Sequence, residues 1–246
     1  AKELLTFLQN SPSCFHAVKN VVDMLTAAGF TEVKEEESWK LEAGGRYFVT
    51  RNQSSVIAFK VPGKDFKGFQ IIASHSDSPT FKIKENPEME AAHCIKLNVE
   101  KYGGMICAPW FDRPLSVAGR VIVKEGAALK PILVNVDRDL CTIPNLAIHM
   151  NREANTGVKY NPQKDMLPLI GEGENKDVFN SIIAETINTD EQAIISSDLF
   201  LYNREKGTVW GANNEFISAP RLDDVMCAYS CMGALINRSD VNEESV

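Results

Sequence analysis

No CxxC pair, no block of basic residues and no apolar run of the ~18 residues a membrane helix needs occur in this chain of 246 residues. The cysteines, Cys14, Cys94, Cys107, Cys141, Cys227 and Cys231, are scattered, which argues against a thiolate metal ribbon or a dithiol redox centre. A disulfide framework is not expected in a chain this long. Cys227 and Cys231 lie four apart in a helical pattern and read as small apolar residues. A net charge of −7, with no basic stripe, excludes a general nucleic-acid or anionic-membrane surface, so neither nucleic acid nor membrane is an expected partner. The first residues, AKELLTFLQN, are polar where a signal peptide needs its apolar segment, and a cytoplasmic location is expected. A GxSxG elbow, internal repeats and low-complexity tracts are absent too. What is present, 44% apolar and 24% charged residues, suits one large or two modest globular domains with a sizeable core.

The spacing predicts a short helix over Lys2 to Gln9, then a second opened by Ser11-Pro12-Ser13, with Pro12 in its first turn and Gly29 as its stop. Phe15, Val18, Val22 and Leu25 form its apolar face, and His16 within it is a poor ligand candidate. Tyr47 to Thr50 and Ser55 to Val61 read as paired strands, and Phe69 to Ala73 as a buried strand. After Pro87 the texture turns to short β-rich runs, Ile95 to Val99, Gly119 to Lys124 and Ile132 to Val136, then a polar loop from Asn151 to Lys176. A helix over Asp177 to Asn188 and a strand over Ser197 to Asn203 follow. The predicted fold class is α/β: a sheet layer built from residues 1–89 and 211–246, with a β-rich second domain inserted over residues 90–210.

Two motifs carry chemistry. In GFQIIASHSDSP an apolar run stops at His75, followed two residues later by Asp77. At the carboxyl end of a strand these two lie where open α/β sheets bind ligands, and alternate residues of an extended chain face one way. His75 is then a metal-binding imidazole with Asp77 orienting it, or the segment is a polar loop ending a buried strand. In the second, GANNEFISAPRLDDVMCAYSCMGALI, Asp223 and Asp224 stand at the start of a helix whose apolar positions include Val225, Tyr229, Met232 and Ile236. Paired acids there serve either as cap and dipole partners or as metal carboxylates. Dinuclear metallopeptidases join the two motifs, since a carboxylate bridges two ions and a histidine binds one.

SPSCFHAV (11–18), RYFVTRNQSSVIAF (46–59), ASHSDSP (73–79), YGGMICAPWFDRPLSVAGRVIVK (102–124), PNLAIHMNR (144–152) and ANNEFISAPRLDD (212–224) together resemble the aspartyl aminopeptidase family, relatives of vacuolar aminopeptidase I. The resemblance implies a metallopeptidase-type α/β layer, peptide substrates, a preference for acidic amino-terminal residues, and two zinc ions. By it, His75 is a zinc ligand, Asp77 the acid behind it, and Asp223 the carboxylate bridging both zincs, followed by a cis peptide. Asp224 replaces the family's usual asparagine. His149, in AIH, corresponds to a histidine that the inserted domain carries into a neighbouring subunit's active site in a homo-oligomer, against its plainer reading as an interface or core histidine. Trp110, Phe111, Asp112 and Arg113 match WFDR and shape the inserted domain.

The resemblance also implies a Glu-Glu pair, a further Asp and a second His, none of which the chain reaches. Glu243 and Glu244 follow a polar helix end and read as solvated loop acids. The sequence therefore looks like the amino-terminal part of such an enzyme, expected to be inactive alone. Three functions stand in view: a zinc aminopeptidase, a serine hydrolase using Ser76 or Ser78 with His75 and Asp77, and a non-catalytic assembly module or inactive fragment.

Overall fold

The computed structural model describes residues 1–63, 66–173 and 177–238; Glu243 and Glu244 lie outside them. Two compact units result. One is formed by Ala1–Ser78 with Lys206–Val246, the other by Pro79–Glu205.

In the first unit, helix α1 (Lys2–Gln9) buries Phe7 and Leu8. Helix α2 (Cys14–Ala27) is capped by Ser13, whose hydroxyl accepts from the His16 N–H, and it buries Phe15, Ala17, Val18, Val21 and Leu25. Pro12 therefore precedes the cap instead of occupying the first turn, and Val21 takes the buried place expected of Val22. Gly29 stops the helix with φ 78°, a conformation that favours glycine. Strand β1 (Thr31–Glu32) runs parallel to β2 (Arg46–Arg51), which pairs antiparallel with β3 (Ser55–Lys60).

The predicted buried strand over Phe69 to Ala73 does not form. Among the described residues no ladder pairs with this segment, and Phe69, Ile71 and Ile72 are 66%, 83% and 70% exposed. Apolar sequence supplies a reason to be buried, but a strand also needs a neighbour for its N–H and C=O groups, and none of the described residues provides one.

The second unit is a six-stranded antiparallel sheet. Its strands are β4 (Thr80–Ala91), β5 (Cys94–Tyr102), β6 (Leu115–Glu125), β7 (Ala128–Asn135), β8 (Leu169–Glu172) and β9 (Ile194–Asn203), in the order β7-β6-β9-β4-β5-β8. Helices α3 (Pro162–Asp165) and α4 (Val178–Thr186) belong to the same unit. Phe81, Leu97, Leu115, Val121, Phe179 and Leu201 are among its buried core residues. Strand β4 passes through Pro87, the residue at which the expected first domain was about to end. The register with β5 shifts between Ile83 and Glu88, so a residue without an N–H falls where the ladder is interrupted. The polar stretch predicted as loop contains α3 and β8, the latter held by pairing with β5. Trp110 meets Phe81 edge-on with ring centroids 5.2 Å apart, Phe111 is buried, Asp112 accepts from the Asn145 N–H at 2.9 Å, and Arg113 pairs with Glu205.

The chain then returns to the first unit through a hairpin of β10 (Thr208–Trp210) and β11 (Phe216–Ser218), followed by helix α5 (Leu222–Asn237). Helix α5 packs on α1 and α2, with Val225 joining Phe7, Leu8, Leu25 and Phe48 in one core. Polar ties fix it further. Arg221 donates to the Leu8 carbonyl at 2.9 Å, and the Lys60 ammonium donates to the Arg238 carbonyl at the helix end at 2.6 Å. No helix among the described residues is long and apolar enough to cross a membrane.

Candidate metal centre

Helix α5 is the firm wall of the site. Its core face anchors it, while the backbone at its first residues departs from helical geometry at Asp223 and Asp224, whose connecting peptide is cis. Arg221, at the start of this helix, makes no side-chain cap bond, and Asp223 and Asp224 follow it with non-helical backbone ahead of the regular helix. Their carboxylates turn toward the segment carrying His75.

That segment is held although it forms no strand. The Ser76 hydroxyl donates to the Ser54 carbonyl, at the turn joining β2 to β3, at 2.9 Å. The His75 N–H donates to Asp224 Oδ2 at 3.1 Å, and the Asp224 N–H reaches the Asp77 carbonyl at 3.5 Å. Stretches 149 residues apart are thereby bonded side by side.

The imidazole sits between acids. Its Nδ1 is 3.0 Å from Asp77 Oδ1, and its Nε2 is 3.4 Å from Asp223 Oδ1 and 3.8 Å from Asp224 Oδ2. A proton on Nδ1 donates to Asp77 and leaves the Nε2 lone pair facing Asp223, the arrangement in which a carboxylate orients a metal-binding histidine. Two donors each ~2.0–2.2 Å from one ion are separated by about the distance found between Nε2 and Asp223 Oδ1. Among the described residues, His75, Asp223 and Asp224 form the one group of three metal-ligating side chains within 4.8 Å of one another. Nitrogen and carboxylate donors suit a borderline divalent cation such as zinc.

Electrostatics agree with that geometry. Slight burial works against a proton on His75, but the hydrogen bond to Asp77 and the charges of Asp224 and Asp77 outweigh it and raise the imidazole pKa. Asp224 is held below the ordinary carboxylate range, chiefly by a hydrogen bond from the Cys227 thiol and also by the His75 N–H. The same contact pushes the Cys227 thiol up. The serine-hydrolase alternative loses its geometry here. Ser76 is turned to the Ser54 carbonyl, and the His75 ring nitrogens face carboxylates.

His75, Asp77 and Asp223 thus come together within the first unit. His149 lies in the second, in an exposed turn. Asp224 and Ser76 as holders of the His75 segment were missed. The doublet Asp223-Asp224 was visible, but nothing in one sequence says that the second acid faces a backbone N–H so far away.

The family described as aminopeptidase I zinc metalloprotease (M18) matches residues 7–246. A probable M18 family aminopeptidase 2 of Clostridium acetobutylicum is 51% identical over 96% of this chain and 57% of its own length. The chain therefore spans little more than half the length of the curated relatives it matches. The mApe1 of Chaetomium thermophilum superposes with a TM-score of 0.85 at 31% identity, over 98% of this chain and 58% of that one. The S. cerevisiae mApe1 dodecamer gives 0.81 at 27% identity, over 99% and 57%. With the match running from residue 7 to residue 246 and the same α/β fold in these structures, the chain belongs to the M18 family of zinc aminopeptidases.

Proposed function

We propose that the whole protein of which this sequence forms part is a zinc-dependent aminopeptidase that removes acidic amino-terminal residues, Asp or Glu, from peptides. The observation that carries the reading is the His75 imidazole set between Asp77 and Asp223, with Nε2 3.4 Å from Asp223 Oδ1, in a chain of a zinc-peptidase family. The acidic preference rests on the likeness of the quoted motifs to aspartyl aminopeptidases. A zinc ion bound there supplies Lewis-acid chemistry toward a peptide carbonyl. His75 offers Nε2, and Asp77 holds the opposite ring nitrogen in the matching tautomer. Asp223, with its side chain 82% exposed, is free to face a second ion as well as the first, and two ions are the proposed complement.

The second unit is proposed to supply subunit contacts in a homo-oligomer, as the dodecameric assembly of the S. cerevisiae relative suggests. Its AIH turn is proposed to place His149 at a neighbour's site. Scattered cysteines with no CxxC pair suit a reducing compartment, and a cytoplasmic location is proposed on that basis.

The test is to purify the full-length protein, measure bound zinc, and compare hydrolysis of Asp- and Leu-linked aminopeptidase substrates before and after chelation. Cleavage of the Asp-linked substrate, lost on chelation and restored by zinc, is expected. Cleavage that persists in the metal-free protein sinks the reading. The 246-residue chain assayed alone is expected to be inactive.

A further inference from the structure

Asp224 is the half-buried member of the acidic trio, its side chain 19% exposed against 82% for Asp223. Although it lies within reach of a shared ion, its Oδ2, the oxygen 3.8 Å from His75 Nε2, already accepts the His75 N–H at 3.1 Å. The Cys227 thiol, one turn along α5, donates to the same carboxylate. An oxygen already engaged by a backbone N–H lies poorly for donating to an ion, while Asp223, the adjacent acid, stays open. The two segments are also bonded in the reverse direction, Asp224 N–H to the Asp77 carbonyl.

We propose that Asp224 is a positioning residue: its carboxylate clamps the backbone of His75 so that Nε2 stands at binding distance from Asp223, and it does so as a hydrogen-bond acceptor, not as a charged ligand. The inference rests on the zinc reading above. Among the described residues the segment it clamps belongs to no strand ladder, so the side chain holds it as a sheet neighbour does elsewhere.

Acceptor and ligand roles rank two substitutions in opposite orders. Asp224→Asn keeps an acceptor oxygen at the same reach and removes the charge, whereas Asp224→Glu keeps the charge and moves the oxygen by about 1.5 Å. In the full-length protein, zinc affinity is read by competition with a chromophoric chelator, and the exchange rate of the His75 amide is read on the metal-free form. For a clamp, Glu loses roughly tenfold or more in zinc affinity and speeds His75 amide exchange, while Asn stays within about threefold on both. Asn losing as much zinc as Glu, or more, makes Asp224 a charged ligand and overturns the proposal. A His75 amide that exchanges at the same rate in all three proteins overturns it as well, and this readout needs no metal. If the wild-type protein itself takes up no zinc, the functional reading fails; if it binds zinc and the ranking inverts, only the clamp fails.

Discussion

At the scale of single residues, two histidines behave in opposite ways. His75 has a raised pKa, so in the metal-free protein its proton contributes stability fully below the unfolded value of 6.5, lost as pH rises through the folded value. Its imidazole is expected to titrate above 6.5 by NMR, and Asp77→Asn to lower that midpoint, because the hydrogen bond and charge of Asp77 are what hold the proton. In the holo-protein the same substitution is expected to cost roughly 10–100-fold in zinc affinity, measured by chelator competition. His16 is pushed down to about 4 by burial and by the nearby Lys19, with its Nδ1 2.8 Å from the Ser13 hydroxyl. The unfolded chain takes up that proton at 6.5, so the fold is destabilised as pH falls from 6.5 toward 4, by roughly 3 kcal/mol over the window. His16→Gln should flatten this acid limb in urea melts taken at pH 7 and pH 5.

At the scale of elements, contacts that no local pattern announces decide stability. Glu88 on β4 accepts from the Asp177 N–H at 2.9 Å and from the Phe179 N–H, satisfying the first turn of α4 from 89 residues away. Glu88→Ala is expected to cost about 1–2 kcal/mol in denaturant unfolding. Gly119 leaves room for β9: a Cβ there would stand 2.0 Å from the Asp198 carbonyl oxygen and 2.9 Å from Leu199 Cα. Gly119→Ala should therefore destabilise the sheet by about 3 kcal/mol. The elements legible in the sequence were those that announce themselves locally. Helices α1 and α2, the β2–β3 pair and α5 show period and punctuation, and His75, Asp77 and Asp223 stood out by spacing and motif. What stayed hidden depended on distant partners. Strand β4 runs through a proline because a register shift accommodates it, β8 forms because β5 offers an edge, and the run at Phe69 to Ala73 lacks any such edge among the described residues.

At the scale of the whole molecule, the open apolar strip of Phe69, Ile71 and Ile72 is expected to drive association of the 246-residue chain, since exposed apolar surface of this kind seeks cover. Light scattering of the chain against an Ile71→Lys, Ile72→Lys variant checks it, with lower scattering expected from the variant. The full-length protein is expected to sediment as a homo-oligomer, and His149→Ala to lower its turnover more than its zinc content. The second unit also bears on how the metal centre assembles. Its first and last strands are neighbours: Lys82 pairs with Phe200, and the Thr80 hydroxyl donates to the Leu201 carbonyl 121 positions later. Once that sheet closes, 121 of the 148 positions separating His75 from Asp223 drop out of the loop that must be shut, leaving 27. On chain statistics the shorter loop is easier to close by about 1.5 kcal/mol. An insertion that divides the metal-binding residues in sequence thus makes their meeting less improbable, provided it folds first.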